Sequence, residues 1–282
     1  MTFHTLISAQ NLASHLNDPH WVVIDCRHDL ADPEAGRAAY AAGHIPGAVF
    51  AHLDRDFAGP TTGPDGRFRG RHPLPERTAF IATLRELGIH DDSQVIAYDA
   101  HGGAFAARLW WMLRWIGHEA VALLDGGLPA WLANGNVLST DSVKPRNGTI
   151  HLRPTLTAQV DVDRVVANLT TRQHTIIDAR APDRFRGENE TIDALGGHIP
   201  DAKNRFFKEN LLPDGRFKPA ATLRAELSEM VTAPQLAIMQ CGSGVTACHN
   251  LLAMEIAGLH GAALYAGSWS EWSSDPTRPI AR

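Results

Sequence analysis

The chain has 282 residues, a formal net charge of −5, and lysines and arginines spread along its length, so it offers no basic face to a phosphate backbone and nucleic acid is not an expected partner. No apolar run approaches the ~20 residues a membrane helix needs, and Leu109-Trp-Trp-Met-Leu113 is cut short by Arg114, so a membrane is not expected either. The three cysteines cannot build a disulfide framework and make no C-x-x-C zinc pattern, and the first residues show no secretory signal; a cytoplasmic protein with a reduced thiol and no metal is the expectation.

In chain order, Val22-Val-Ile24 predicts a strand ending in Asp25-Cys-Arg27, and Gly43-His-Ile-Pro reads as a turn. Residues 76–87 have helical spacing, Val95-Ile-Ala97 reads as strand and 104–116 as helix. Ser139 to Gly148 is polar and carries Pro and Gly, the composition of a linker. The domains are therefore expected at 1–140 and 156–282, with 141–155 between them. Beyond the linker the series begins again, with strands at Ile176-Ile177 and Ala237-Ile-Met239 and helices over 220–230 and 245–257. Strands separated by helices imply parallel βαβ units covered on both faces, an α/β fold.

The second series repeats the first in its residues. Trp21-Val-Val-Ile-Asp-Cys-Arg27 is echoed by Thr175-Ile-Ile-Asp-Ala-Arg180, Gly43-His-Ile-Pro by Gly197-His-Ile-Pro, and Pro64-Asp-Gly-Arg-Phe68 by Pro213-Asp-Gly-Arg-Phe217. Leu124-Asp-Gly-Gly-Leu-Pro-Ala-Trp131 is loosely matched by Tyr265-Ala-Gly-Ser-Trp-Ser-Glu-Trp272. The offsets, 153 from Asp25 to Asp178, 154 from His44 to His198 and 149 from Asp65 to Asp214, drift as in two diverged copies. So long a period means two domains, since solenoid repeats run roughly 20–50 residues.

One loop breaks the symmetry. In Met239-Gln-Cys-Gly-Ser-Gly-Val-Thr-Ala-Cys248 a cysteine stands where a strand passes through a Gly/Ser loop into a helix. Unpaired N–H groups and the helix dipole favour an anion there, which suits a thiolate nucleophile at Cys241. Gly242 and Gly244 let several N–H groups face one centre. Aligned on this loop, the first copy has Ala100 in the place of Cys241, so only the second copy has a nucleophile. Cys248 falls seven residues later, on the apolar stripe of the same helix, and reads as core.

Two copies each with Asp-x-Arg and Gly-His-Ile-Pro, a Cys-Gly-Ser-Gly-Val-Thr-Ala loop in the second, and a terminal Gly-Ser-Trp-Ser-Glu-Trp together resemble tandem-domain rhodanese-type sulfurtransferases along essentially the whole chain. The resemblance implies two rhodanese-like domains and sulfur transfer through a Cys241 persulfide, with no cofactor. It also implies a small-molecule sulfur donor and an acceptor such as cyanide, a small thiol or a thioredoxin-like protein. The loop is similar to the 3-mercaptopyruvate branch, since Gly242 and Ser243 stand where thiosulfate enzymes more often have basic residues.

By the same resemblance, Ser243 belongs to a Ser-His-Asp arrangement with His72, in His72-Pro-Leu-Pro75, and Asp54, ten residues after His44. Gly242, Gly244, Val245 and Thr246 would surround the donor, and Arg184, in Asp183-Arg-Phe-Arg-Gly187, would hold its carboxylate. The family's second arginine is missing from Glu188-Asn-Glu-Thr-Ile-Asp-Ala-Leu195, and Arg186 is the substitute that sequence offers. Three other readings differ in what they require. A thiosulfate donor would fit the same cysteine. A cysteine phosphatase would need an arginine six residues past the cysteine, where Ala247 stands. A sulfur carrier or thiol sensor would have no use for Asp54, His72 and Arg184 together.

Overall fold

The computed structural model describes residues 2–282, which divide into two compact units. The first comprises the chain up to Ala58, Pro75–Leu156 and Leu211–Phe217; the second comprises Gly59–Leu74, Thr157–Asn210 and Lys218–Arg282. Each unit therefore takes a short segment from the other half of the sequence. Both exchanged segments carry Pro-Asp-Gly-Arg-Phe, at 64–68 and 213–217. A boundary drawn through the linker alone cannot express this, because hydrophobic periodicity and turn composition say nothing about which core a loop joins.

In the first unit β1 (Leu6–Ile7), β2 (Trp21–Asp25), β3 (Val49–Phe50), β4 (Gln94–Tyr98) and β5 (Val121–Leu124) form a sheet in the order β1-β5-β4-β2-β3. The second unit repeats that order with β6 (Ala158–Val160), β7 (Thr175–Asp178), β8 (Lys203–Asn204), β9 (Ala237–Gln240) and β10 (Ala263–Tyr265), arranged β6-β10-β9-β7-β8. All of these pairings are parallel, the central ones running Trp21↔Gln94 to Asp25↔Tyr98 and Thr175↔Ala237 to Asp178↔Gln240. Central strands β4 and β9 are wholly buried, which is why they read as unbroken apolar runs rather than alternating ones.

The helices expected from periodicity lie at Arg77–Glu86, Ala106–Trp115, Ala220–Met230 and Thr246–Ile256. Trp110, Trp111, Trp115 and Trp131 are all buried. Buried apolar area of that size is worth on the order of 25 cal/mol per Å².

The Asp-x-Arg and Gly-His-Ile-Pro motifs brace each sheet. Arg27 donates from Nε to both Asp25 oxygens at 3.0 Å, and from Nη2 to Asp25 Oδ2 at 2.6 Å and to the Gly43 carbonyl at 2.7 Å. Arg180 repeats the pattern on Asp178 and the Gly197 carbonyl. The turn histidines also match: His44 Nδ1 lies 2.8 Å from the Tyr40 carbonyl and stacks on Tyr40, and His198 Nδ1 lies 2.9 Å from the Phe185 carbonyl and stacks on Phe185. Each carboxylate thus has a partner in a dry place, and the strand end is tied to the turn that precedes the next strand.

Candidate active site

Cys241 follows the last residue of β9 and is 2% exposed. Parallel sheets present ligand sites at the carboxyl ends of their strands, and the loop 241–245 runs from that edge into the helix Thr246–Ile256. Its curvature depends on Gly244, at φ +77°, where a β-carbon would stand 2.4 Å from the Ala266 carbonyl oxygen.

The Gly-Ser-Trp-Ser motif holds the loop from behind. The Cys241 N–H donates to Ser268 Oγ at 3.1 Å, and that hydroxyl donates to the Tyr265 carbonyl at 2.9 Å. Backbone N–H groups of Trp269 and Ser270 donate to the carbonyls of Cys241 at 3.0 Å and Gly242 at 2.9 Å. These bonds fix the direction in which the loop carries its side chains.

His72 meets Ser243 within the second unit. The imidazole Nδ1 and the Ser243 Oγ share a hydrogen bond of 2.7 Å, with both residues buried. The preceding peptide is anchored too, since the Arg71 N–H donates to Ser270 Oγ at 3.1 Å. Gly70, at φ +97°, brings this segment so close that a β-carbon would reach 2.6 Å from the Gly267 carbonyl oxygen.

Arg184, on the short helix Pro182–Phe185, points to the loop. A β-carbon built on Gly242 would stand 3.7 and 3.8 Å from its two Nη atoms, and 2.8 Å from Nη2 of Arg71. Two carboxylates orient these guanidiniums. Glu190 accepts from Arg184 Nε at 3.1 Å and Nη2 at 2.8 Å, while Asp193 pairs with Arg71 Nη1 and lies 3.4 Å from Arg184 Nη2. Against the opposing effect of burial, the bonds to Arg184 hold Glu190 below the ordinary glutamate range; burial pushes Asp193 above the aspartate range.

Arg186 does not join them. It is half-exposed and forms a bidentate pair with Glu188 at 2.7–2.8 Å. Two residues along a helix is a rotation of about 200°, so Arg184 and Arg186 leave on opposite sides. Asp54 lies in the first unit, on the helix Leu53–Asp56, where its N–H caps onto His52 Nδ1 at 3.1 Å and its Oδ2 is 4.0 Å from that nitrogen. His28, His52 and Asp54 offer ligand atoms within 4.8 Å of one another. Both nitrogens of His52 are engaged, however, Nδ1 by the Asp54 N–H and Nε2 by the Pro33 carbonyl at 3.0 Å, which leaves a poor metal site.

The family model for the rhodanese-like domain matches twice, at residues 8–134 and 161–275. The chain belongs to the rhodanese family. It is 44% identical over 284 residues to a probable 3-mercaptopyruvate sulfurtransferase of Pseudomonas aeruginosa, covering 100% of this chain and 99% of that one. It is 41% identical over 288 residues to a putative thiosulfate sulfurtransferase, SseB, of Mycobacterium tuberculosis, covering 98% and 96%. The crystal structure of the 3-mercaptopyruvate sulfotransferase SseA of Escherichia coli superposes with a TM-score of 0.82 at 34% identity, over 95% of this chain and 100% of that one. The protein is a sulfurtransferase of two tandem rhodanese-like α/β domains.

The matching loop of the first unit has Ala100 in place of the thiol and is filled by a carboxylate. Asp99, fully buried one position before Ala100, accepts N–H bonds from His101 at 2.7 Å, Gly103 at 2.9 Å, Phe105 at 2.8 Å and Ala106 at 3.0 Å. A resident carboxylate thus takes up four of the loop's N–H groups. In the second repeat the matching residue is the neutral Gln240. Sequence reading missed this exchange, and it missed Arg71, Asp193, Glu190, Ser268 and Ser270. The departure from a plain alignment at Asp99 against Gln240 was a usable signal; the remainder needed the fold.

Proposed function

We propose that this sulfurtransferase takes its sulfur from 3-mercaptopyruvate, stores it as a persulfide on Cys241 and releases pyruvate. The reading rests on one observation above all: the loop headed by Cys241 presents Ser243 hydrogen-bonded to His72 at 2.7 Å, a polar pair suited to a keto acid.

The Cys241 thiolate attacks the donor sulfur. An S–S bond forms, the C–S bond breaks, and its electron pair passes to the leaving carbon as the pyruvate enolate; the proton of the transferred S–H completes pyruvate and leaves the persulfide anion. Ser243 and His72 hold the donor's carbonyl oxygen, where the enolate charge gathers, and relay that proton. Asp54 is the acid we assign to this Ser-His-Asp arrangement. Arg184 receives the carboxylate, and the loop N–H groups of Gly242, Gly244, Val245 and Thr246 face the sulfur anion. An acceptor thiolate then attacks the outer sulfur, carries it off as a persulfide and restores the Cys241 thiolate; cyanide leaves as thiocyanate. A small thiol or a thioredoxin-like protein in a reducing cytoplasm is the acceptor we assign. Among the described residues no helix is long and apolar enough to cross a membrane.

The test compares kcat/KM for 3-mercaptopyruvate and thiosulfate on the purified protein, with intact mass to find one added sulfur on Cys241. A higher value for 3-mercaptopyruvate, lost in Cys241→Ser, is expected. A preference for thiosulfate would replace the donor while leaving the persulfide chemistry intact.

A further inference from the structure

The segment 188–195, in which the family's second arginine is missing, brings an acid to the nucleophile loop instead. The Asp193 side chain is 6% exposed; its Oδ1 accepts from Arg71 Nη1, and its Oδ2 lies 3.4 Å from Arg184 Nη2. Both guanidiniums stand over Gly242, the residue next to the nucleophile: a β-carbon there would be 2.8 Å from Arg71 Nη2 and 3.7 Å from Arg184 Nη2. The Asp193 charge is thus one guanidinium's width from the loop. Glu190 keeps it in place, since Oε1 accepts the N–H groups of Ile192 at 2.9 Å and Asp193 at 3.0 Å while the same carboxylate holds Arg184. All four charged side chains belong to the second unit, and two guanidiniums with two carboxylates sum to no net charge. An anion reaching Cys241 therefore meets directed N–H donors without a surplus of positive charge.

We propose that Asp193 sets the charge of the sulfur donor: by cancelling one positive charge over the loop it favours a monoanionic keto acid over a dianion such as thiosulfate. This deepens the functional reading above and rests on it for the preferred donor. A fixed negative charge opposes an incoming anion in proportion to the anion's own charge, so Asp193 costs thiosulfate about twice what it costs 3-mercaptopyruvate. The hydrogen-bond donors around the loop are left for either anion, so the discrimination comes from repulsion and not from a lost contact. Because the carboxylate is buried and paired, salt screens its charge only weakly. A neutral side chain of the same shape at position 193 would leave the two guanidiniums with a net positive charge, the condition that suits a dianion.

The experiment uses the full chain at about pH 7.5, between the carboxyl and thiol ranges, so that the acid is ionised and the donor thiol is not. In wild type, Asp193→Asn and Asp193→Glu, kcat/KM for thiosulfate is divided by kcat/KM for 3-mercaptopyruvate. Beside it, sulfate and pyruvate are each titrated as protectants of Cys241 against iodoacetamide, with the adduct mapped by peptide mass. Asp193→Asn is expected to raise the donor ratio about tenfold, the effect of one partly screened charge on the extra charge of the dianion, and to strengthen protection by sulfate more than by pyruvate. Asp193→Glu keeps the charge and should keep both ratios near wild type. Unchanged ratios in Asp193→Asn, or an equal rise in Asp193→Glu, overturn the inference. Should Asp193→Asn unfold, folded Asp193→Ser is read in its place by the same criteria. A wild-type preference for thiosulfate would remove the donor reading alone, since the sulfate-to-pyruvate protection ratio still reports on Asp193.

Discussion

At the level of single residues, the buried Cys26 thiol should be slow to react with alkylating agents. Burial, with Asp25, Asp99 and Asp56 nearby, pushes it well above its ordinary range. A raised thiol pKa means less thiolate at any given pH, so Cys26 should resist iodoacetamide at about pH 8 in the native protein and react only after denaturation. Labelling of Cys26 at a rate comparable with Cys241 would contradict that account of its surroundings. Ser243→Ala removes one hydrogen bond to His72 and should lower kcat/KM for 3-mercaptopyruvate about tenfold, with kcat falling at least as much as KM rises. The loop that carries Cys241 was legible in the sequence because a strand-loop-helix motif is local, while the pairing of Ser243 was assigned through resemblance. His72 came only through resemblance, and Arg71 carried no local signal at all: an arginine in a polar loop acquires meaning only when the loop's destination is known.

At the level of elements, the two rhodanese loops are built on matching strands and differ in the residue that precedes them, Asp99 in the first and Gln240 in the second. Asp99 fills the first loop with four N–H bonds, so restoring the thiol should not restore the site. In a Cys241→Ser background, Ala100→Cys is expected to gain no persulfide by intact mass, because a thiolate beside the Asp99 carboxylate would meet like charge and already occupied donors. Persulfide on the thiol introduced at position 100, formed at a wild-type rate, would show that the resident carboxylate is not what silences the loop. Gly244→Ala tests the catalytic loop's shape from the other side. Its φ of +77° and the 2.4 Å approach to the Ala266 carbonyl should cost about 2 kcal/mol or more, read as a lowered denaturation midpoint together with lost activity. Strand and helix positions were readable because buried parallel strands and amphipathic helices have distinct periodicities. The capping of the loop by Ser268 to Ser270 was not, because it depends on β9 and β10 being neighbours.

At the level of the whole molecule, duplication was plain from repeated motifs, and the sheet orders match strand for strand. The exchange of segments 59–74 and 211–217 was hidden, since a linear boundary assumes that each copy folds from its own residues. Cutting the chain at such a boundary therefore removes working parts. A fragment of residues 157–282 keeps Cys241, Ser243 and Arg184 but loses Arg71 and His72, together with the bond from the Arg71 N–H to Ser270 and the close approach of Gly70 to Gly267. It also carries 211–217 away from the unit in which the Phe217 N–H donates to Asp125 Oδ1 at 2.9 Å. The fragment is expected to be less stable to denaturant than the second unit of the full chain and to form persulfide from 3-mercaptopyruvate at least about tenfold more slowly, roughly the loss of the one polar contact that His72 supplies. Adding back a 59–74 segment in continuous sequence with the fragment should raise both quantities, if the segment is a working part of that unit and not merely a connection. Wild-type persulfide formation by 157–282 alone, measured by intact mass against the full chain, would show that the second rhodanese domain is self-sufficient and that residues 59–74 contribute nothing to its chemistry.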